Sequence, residues 1–158
     1  MSKDGLWDNG SITAWCTALD AYGDVIDRHE ILRTSYPETE HGPVQVVRNL
    51  HPGDLFPVLT VLDAAPADSP EDSGVGECVR VALHRPLDLT TDPPLRVVIR
   101  PSAEATEVAL AIHHIAADGW SLRVLADDLN LAYMARVMGT EPDWQPLPVR
   151  YADHMLAR

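Results

Sequence analysis

The stretch Ala109-Leu-Ala-Ile-His113-His114-Ile-Ala-Ala-Asp118-Gly119-Trp120-Ser121 decides the reading of this chain. Two adjacent histidines close an apolar strand, and an Asp-Gly pair then opens a helix. Side chains alternate across a strand, so Val108, Leu110, Ile112 and His114 share one face while Ala109, Ala111 and His113 share the other. The two imidazoles therefore hold different jobs. His114 stands at the strand's end, where a turn can expose it to a cleft. Asp118 is placed to cap the following helix, and Gly119 leaves room for a ligand or a neighbouring backbone.

Working outward, Leu95 to Arg100 and Thr106 to His113 form two β-rich runs separated by a loop short enough for a hairpin. Downstream, Leu122, Leu125, Ala126, Leu129, Ala132 and Tyr133 recur at helical spacing, and Gly139 marks the helix end. Trp120 and Leu122 read as core residues. The helix's apolar face is expected to lie on the sheet that carries Leu110 and Ile112. A Pro-rich connection follows from Pro142 to Pro148, and Tyr151 to His154 could begin another helix.

Toward the N-terminus, Ile12, Trp15, Ala18, Leu19, Tyr22, Val25 and Ile26 predict an amphipathic helix starting at Ser11, weakened by Gly23. It runs into Arg28-His29-Glu30-Ile31-Leu32-Arg33-Thr34, and Pro37 limits continuation. Val44 to Arg48 and Phe56 to Leu62 read as strands. An acidic, Pro- and Ser-containing stretch near 64–76 has no periodicity and reads as a flexible loop within one domain. Glu77 to His84 predicts a short helix. Strands interleaved with helices predict an α/β lobe with a mixed sheet and flanking helices.

Composition narrows the partners. The chain has 158 residues, 46% of them hydrophobic, enough for one sizeable core. Twelve Lys+Arg against 24 Asp+Glu give a net charge of -12, with no basic run. Nucleic acid and anionic membrane surfaces are therefore poor partners. No apolar run approaches the ~20 residues of a membrane span. Cys16 and Cys78 lie far apart without metal spacing, and Met1 to Gly5 does not look like a signal peptide, so a reducing cytoplasm is the expected compartment. A metal held by His113, His114 and Asp118 is disfavoured, because adjacent strand residues point to opposite faces.

The His113-His114-x-x-x-Asp118-Gly119 run resembles the active-site motif of condensation domains of nonribosomal peptide synthetases and their acyltransferase relatives. The run Arg28-His29-Glu30-x-Leu32-Arg33-Thr34 resembles a second motif of that family, and Arg85-Pro86-Leu87-Asp88-Leu89 with Pro94-Leu95-Arg96 resembles the stretch before the active-site hairpin. The resemblance covers Ser11 to the C-terminus and implies a chloramphenicol acetyltransferase-like lobe. It matches the first of the family's two lobes: the Gln-x-Arg first strand and the Asp-Phe-Gly-Trp-Gly second-lobe signature have no counterpart here. Residues 1–158 thus read as a single N-terminal half-domain that needs a complementary C-terminal lobe.

The resemblance implies acyl transfer, with an amine attacking a thioester, both carried on the phosphopantetheine arms of carrier-protein domains and with no cofactor bound by the chain itself. His114 is the expected catalytic residue, as proton acceptor or as a positioning group. His113 is expected to orient the loop, and Asp118 to pair with a buried arginine, Arg33. For His29 and Glu30 the plainer expectation is a charge cluster at a helix end, and Arg28 is carried with them as a motif residue. Two alternatives are a non-catalytic docking module for a carrier protein or synthetase, and an ester-forming or epimerising relative with the same motif.

Overall fold

The computed structural model describes residues 9–49, 59–62, 74–101, 106–149 and 153. At its centre lies a three-stranded mixed sheet ordered β5-β6-β7, from β5 (Leu59–Val61), β6 (Leu95–Pro101) and β7 (Thr106–Ile112). β5 runs parallel to β6, and β6 and β7 form the expected antiparallel pair, with Leu95 opposite Ile112 and Pro101 opposite Thr106. Alternation along β6 divides the core into two layers. Leu95, Val97 and Ile99 pack with Ala21, Tyr22, Val25 and Ile26 of α1 (Asn9–Arg28), whereas Val98 joins Ala109, Cys78 and Ala82, the last two from α2 (Gly74–His84). Both faces of β6 are covered, which is why it reads as a nearly continuous apolar run.

Two arginines interrupt that run, and both are buried. Arg96, only 8% exposed, donates to the carbonyls of Ala82 at 3.0 Å, Pro86 at 3.3 Å and Arg85. A guanidinium thus closes the C-terminal end of α2, where the helix leaves carbonyls unpaired and its dipole favours a cation.

The helical layer is α1 against α3 (Gly119–Val137). Asp24 meets Arg136 and Arg28 meets Asp128, so the two helices run antiparallel. Gly139, at φ +73, ends α3: its N–H donates to Arg136 O at 3.0 Å and that of Thr140 to Ala135 O at 3.0 Å, the paired bonds of a glycine-terminated helix.

Several expectations need correction. α1 begins at Asn9, before Ser11, and passes Gly23 without a break, because tertiary packing on the core outweighs a glycine's propensity deficit of ~1 kcal/mol. Of the expected Val44–Arg48 strand only Val46–Val47 is extended in a ladder, and a further short strand lies just before it, where a turn was expected. β3 (Gly42–Pro43) pairs with β2 (Glu38–Thr39), and β4 (Val46–Val47) pairs with β1 (Thr34–Ser35), outside the main sheet. Gly42, at φ +102, makes the turn between β2 and β3. Residues 74–76, placed in the acidic loop, are instead the first turn of α2, and the rest of that loop lies outside the described residues. Residues 56–58 of the second expected strand, and all of Tyr151–His154 except the helical Asp153, also lie outside them.

α3 differs most from expectation. It packs chiefly on α1, with Leu125 and Leu129 only partly buried against the larger core layer, and its second face is apolar too. Trp120 is 83% exposed, and Leu122, Val124, Met134 and Met138 are exposed as well. The apolar repeat that announced the helix did not say which side would be buried.

Candidate active site

β7 ends at Ile112 and delivers the two histidines to a short loop that closes on α3. His113 is tied down in three ways. Its backbone N–H donates to Pro94 O at 2.9 Å, its carbonyl accepts from Ala116 N at 2.9 Å, and its ring Nδ1 accepts from Ile115 N at 3.1 Å. An accepting Nδ1 places the ring proton of the neutral imidazole on Nε2. The ring thus bonds back onto the loop that carries it. His114 is exposed and makes no hydrogen bond among the described residues.

Asp118 caps α3. Its Oδ1 accepts from Ser121 N at 2.8 Å and from Ser121 Oγ at 2.7 Å, and these bonds, the backbone one first, hold its carboxyl below the usual aspartate range. Nothing in the described chain comes within 4 Å of the place a Cβ on Gly119 would take, so no neighbouring backbone requires glycine there.

The expected Arg33–Asp118 pair is absent. Arg33 closes the 3-10 turn Glu30–Arg33 and turns toward the β1–β4 ribbon, donating from Nη1 to Arg48 O at 2.7 Å, with Nη2 4.0 Å from Glu30 Oε1. Its buried Nε has no hydrogen-bond partner among the described residues. Each residue is engaged elsewhere: the cap at Ser121 takes the carboxylate, and the Arg48 carbonyl, 15 residues downstream, takes the guanidinium.

Arg28 and His29 are instead brought together on one acid that the sequence reading missed. Asp128 Oδ2 lies 2.9 Å from Arg28 Nε and 2.7 Å from His29 Nε2. Arg28 Nη1 also donates to Gln145 O at 2.8 Å, and its guanidinium stacks 4.8 Å from the centre of the Trp144 ring. One side-chain cluster therefore fastens the end of α1, the middle of α3 and the chain leaving α3. A second fastening is the fork of Arg136 on Asp24, at 2.7 and 2.6 Å, which raises the arginine's pKa through those hydrogen bonds. The signal for both was slight: Asp24 and Asp128 stand next in sequence to Val25 and Leu129 but outside the apolar stripes of α1 and α3, where an acid is ordinarily solvated.

Two cavities flank the loop. One, about 540 Å³, is bordered by Leu110, His113, Leu122, Leu125 and Tyr22, whose phenol burial pushes up to about 12. The other, about 800 Å³, is bordered by Arg28, Glu30, Arg33, Ala116, Ser121 and Val124. His114 borders neither. Among the described residues no three His, Cys, Asp or Glu side chains are grouped to hold a metal ion.

The condensation-domain family model matches residues 18–158. The chain belongs to the condensation-domain family. This condensation-domain chain is 40% identical over 137 residues to an isonitrile lipopeptide synthase of Mycobacterium tuberculosis (strain ATCC 25618 / H37Rv), covering 86% of itself and 5% of that protein. It is 44% identical over 142 residues to a probable non-canonical nonribosomal peptide synthetase of Salinispora arenicola (strain CNS-205), covering 89% of itself and 2% of that protein. Among solved structures, the X-domain from teicoplanin biosynthesis superposes with a TM-score of 0.74 at 30% identity, over 90% of this chain and 30% of that one. The mixed sheet with flanking helices is thus the fold of a condensation-domain lobe, and the chain spans under a third of that solved relative.

Proposed function

We propose that this chain forms the histidine-bearing wall of a condensation active site, in which an amine on one carrier protein attacks a thioester on another. The carrying observation is the contrast between the two rings: His113 is spent on shaping the loop, and His114 is exposed and unengaged at its apex. The new C–N bond forms as the C–S bond breaks, and the amine proton passes to His114 and from it to the departing sulfur, so that the free thiol leaves on its phosphopantetheine arm and His114 is restored. A neutral imidazole is suited to that transfer near neutral pH. The relatives named as peptide synthetases support the substrate class. Carrier-protein domains and a complementary C-terminal lobe are the proposed partners, since one wall neither aligns two substrates nor excludes water. We place the protein in the cytoplasm, supported by Cys16 and Cys78 forming no disulfide with each other and by the absence, among the described residues, of any helix long and apolar enough to cross a membrane.

The test is acyl transfer by the chain joined to a complementary lobe, with carrier-bound donor and acceptor. His114→Ala is expected to lower turnover by about 10²–10⁴-fold while leaving the fold intact. A fully active His114→Ala enzyme overturns the assignment, and substantial turnover by this chain alone overturns the requirement for a second lobe.

A further inference from the structure

The basic side chains of this acidic chain are gathered at one place away from the histidine loop. A cavity of about 420 Å³ lies between α2, β5 and the start of β6, bordered by Thr60, Arg80, His84, Arg85 and Arg96. Local geometry explains the gathering. Arg80 and His84 are four residues apart on α2 and so lie on one side of it, and Arg85 follows the helix end. Side chains alternate along β6, so Arg96 shares the α2-facing side with Val98. Thr60 stands opposite Val98 in the parallel ladder and lies on that side too. Every wall is drawn from residues 59–96, well inside both ends of the chain.

Arg96 is buried, yet it spends its donors on the carbonyls of Ala82, Arg85 and Pro86 and meets no carboxylate. His84 is exposed and makes no hydrogen bond or ion pair among the described residues. Asp92 is the one described carboxylate within ion-pair distance of Arg85, His84 or Arg96, at 3.9 Å from an Arg85 side chain that is 73% exposed, a pair worth little. Arg80 has a partner of its own, which leaves Arg85, His84 and Arg96 to face a ligand. The carbonyls ending α2 would repel an anion, but Arg96 covers them. Because the chain as a whole carries -12, its long-range field repels anions, and only a local constellation of this kind can hold one. Cations converging from α2, the segment after it and β6 suit a phosphoryl group with three free oxygens better than a planar carboxylate with two. The volume is in the range of small-molecule pockets, and Leu59 and Val81 give the cavity an apolar side.

We propose that this cavity is a binding site for a phosphate monoester, held by Arg85 and His84 with Arg96 supplying a fixed buried charge. Its failure would leave the acyl-transfer reading at His114 untouched, since the one is measured as binding and the other as turnover. The probes are phenyl phosphate, benzoate and a short peptide bearing one phosphoserine, each titrated into the full chain at constant ionic strength and followed by backbone amide shifts. Phenyl phosphate should bind saturably, with the shifts centred on Thr60, His84 and Arg85, and benzoate should bind at least about tenfold more weakly. Arg85→Gln should weaken binding by about tenfold, the loss of a charge-assisted hydrogen bond, and His84→Gln by about threefold. Arg123→Gln removes an exposed arginine of α3 outside the cavity and should leave binding unchanged. Phosphoserine-peptide binding as tight as that of phenyl phosphate assigns the site to a phosphoryl group carried on a protein, and binding of phenyl phosphate alone assigns it to a free small phosphate; both support the site. Absence of saturable binding by either phosphate probe overturns the proposal, as do shifts centred outside the cavity. Benzoate binding as tight as phenyl phosphate overturns the ligand class. An Arg85→Gln chain that binds like the parent, or an equal loss in Arg123→Gln, overturns the assignment to this cavity.

Discussion

The two motifs that mark this chain as a condensation domain are treated in opposite ways by the fold. The Arg28-His29 pair is largely buried and spends its hydrogen-bonding capacity on Asp128 and Gln145, joining α1, α3 and the segment after α3. The His113–Gly119 stretch is exposed except around buried Ala117, is held by bonds within the loop and by His113 N–H on Pro94 O, and leaves the His114 ring without a hydrogen bond among the described residues. Both runs lie within the matched residues 18–158, yet one is a fastening and the other leaves a ring exposed. A motif read by spacing alone does not separate these roles, because the difference lies in partners that are distant in sequence: Asp128 is 99 residues from His29.

The sharpest way to break this comparison is to remove the shared acid. Asp128→Ala leaves two largely buried cationic or donor groups without their acceptor and should destabilise the chain by about 3–5 kcal/mol in urea unfolding. The Asp128→Ala, Arg28→Met double variant should lose less than the sum of the single changes, since both break one contact. Strict additivity would mean that the cluster is not a unit.

A somewhat smaller effect is expected at Arg96, whose guanidinium closes α2 far from both motifs. Arg96→Met fills a similar volume but leaves buried carbonyls unpaired, a loss of about 1–3 kcal/mol. A neutral outcome would show that water replaces the arginine there. Leu125→Ala should cost about 2 kcal/mol, the low end for leucine truncation, because the side chain is only partly buried between α3 and the core. A loss of 4 to 5 kcal/mol, on the order seen for fully enclosed leucines, would restore the expectation that the sheet covers α3.

The smallest effect is the cap. Asp118 has its carboxyl pKa lowered in the folded chain, so its contribution is present above the ordinary aspartate value of about 4 and is lost as pH falls through the lower folded value. Thermal stability of the parent should therefore fall in that acid window relative to Asp118→Asn, which keeps a capping oxygen without titrating. Parallel pH profiles would show that the carboxylate's charge adds nothing to the cap.

Much of this was legible in the sequence. The hairpin, the boundaries of α3 and the cap at Asp118 followed from alternation, a glycine stop and a capping acid, all local signals. What was not legible depended on distance. Arg33 has the composition of a partner for Asp118, but the competing acceptor, Arg48 O, belongs to a ribbon whose pairing no periodicity announces. The covered side of α3 was hidden because Trp120, Val124 and Met134 make its outer face as apolar as its inner one. The α1–α3 fastenings rest on Asp24 and Asp128, acids outside the apolar stripes whose partners, Arg136 and the Arg28–His29 pair, lie about a hundred residues away.

The central claim is that the fold can spare His114 and cannot spare the Arg28–His29–Asp128 cluster. Urea unfolding of His114→Ala beside Asp128→Ala, in the chain as it stands, tests it most directly. The account predicts that His114→Ala stays within about 0.5 kcal/mol of the parent while Asp128→Ala loses several. A His114→Ala loss as large as that of Asp128→Ala would contradict it, because the exposed ring would then be a structural element and not the group held out for chemistry.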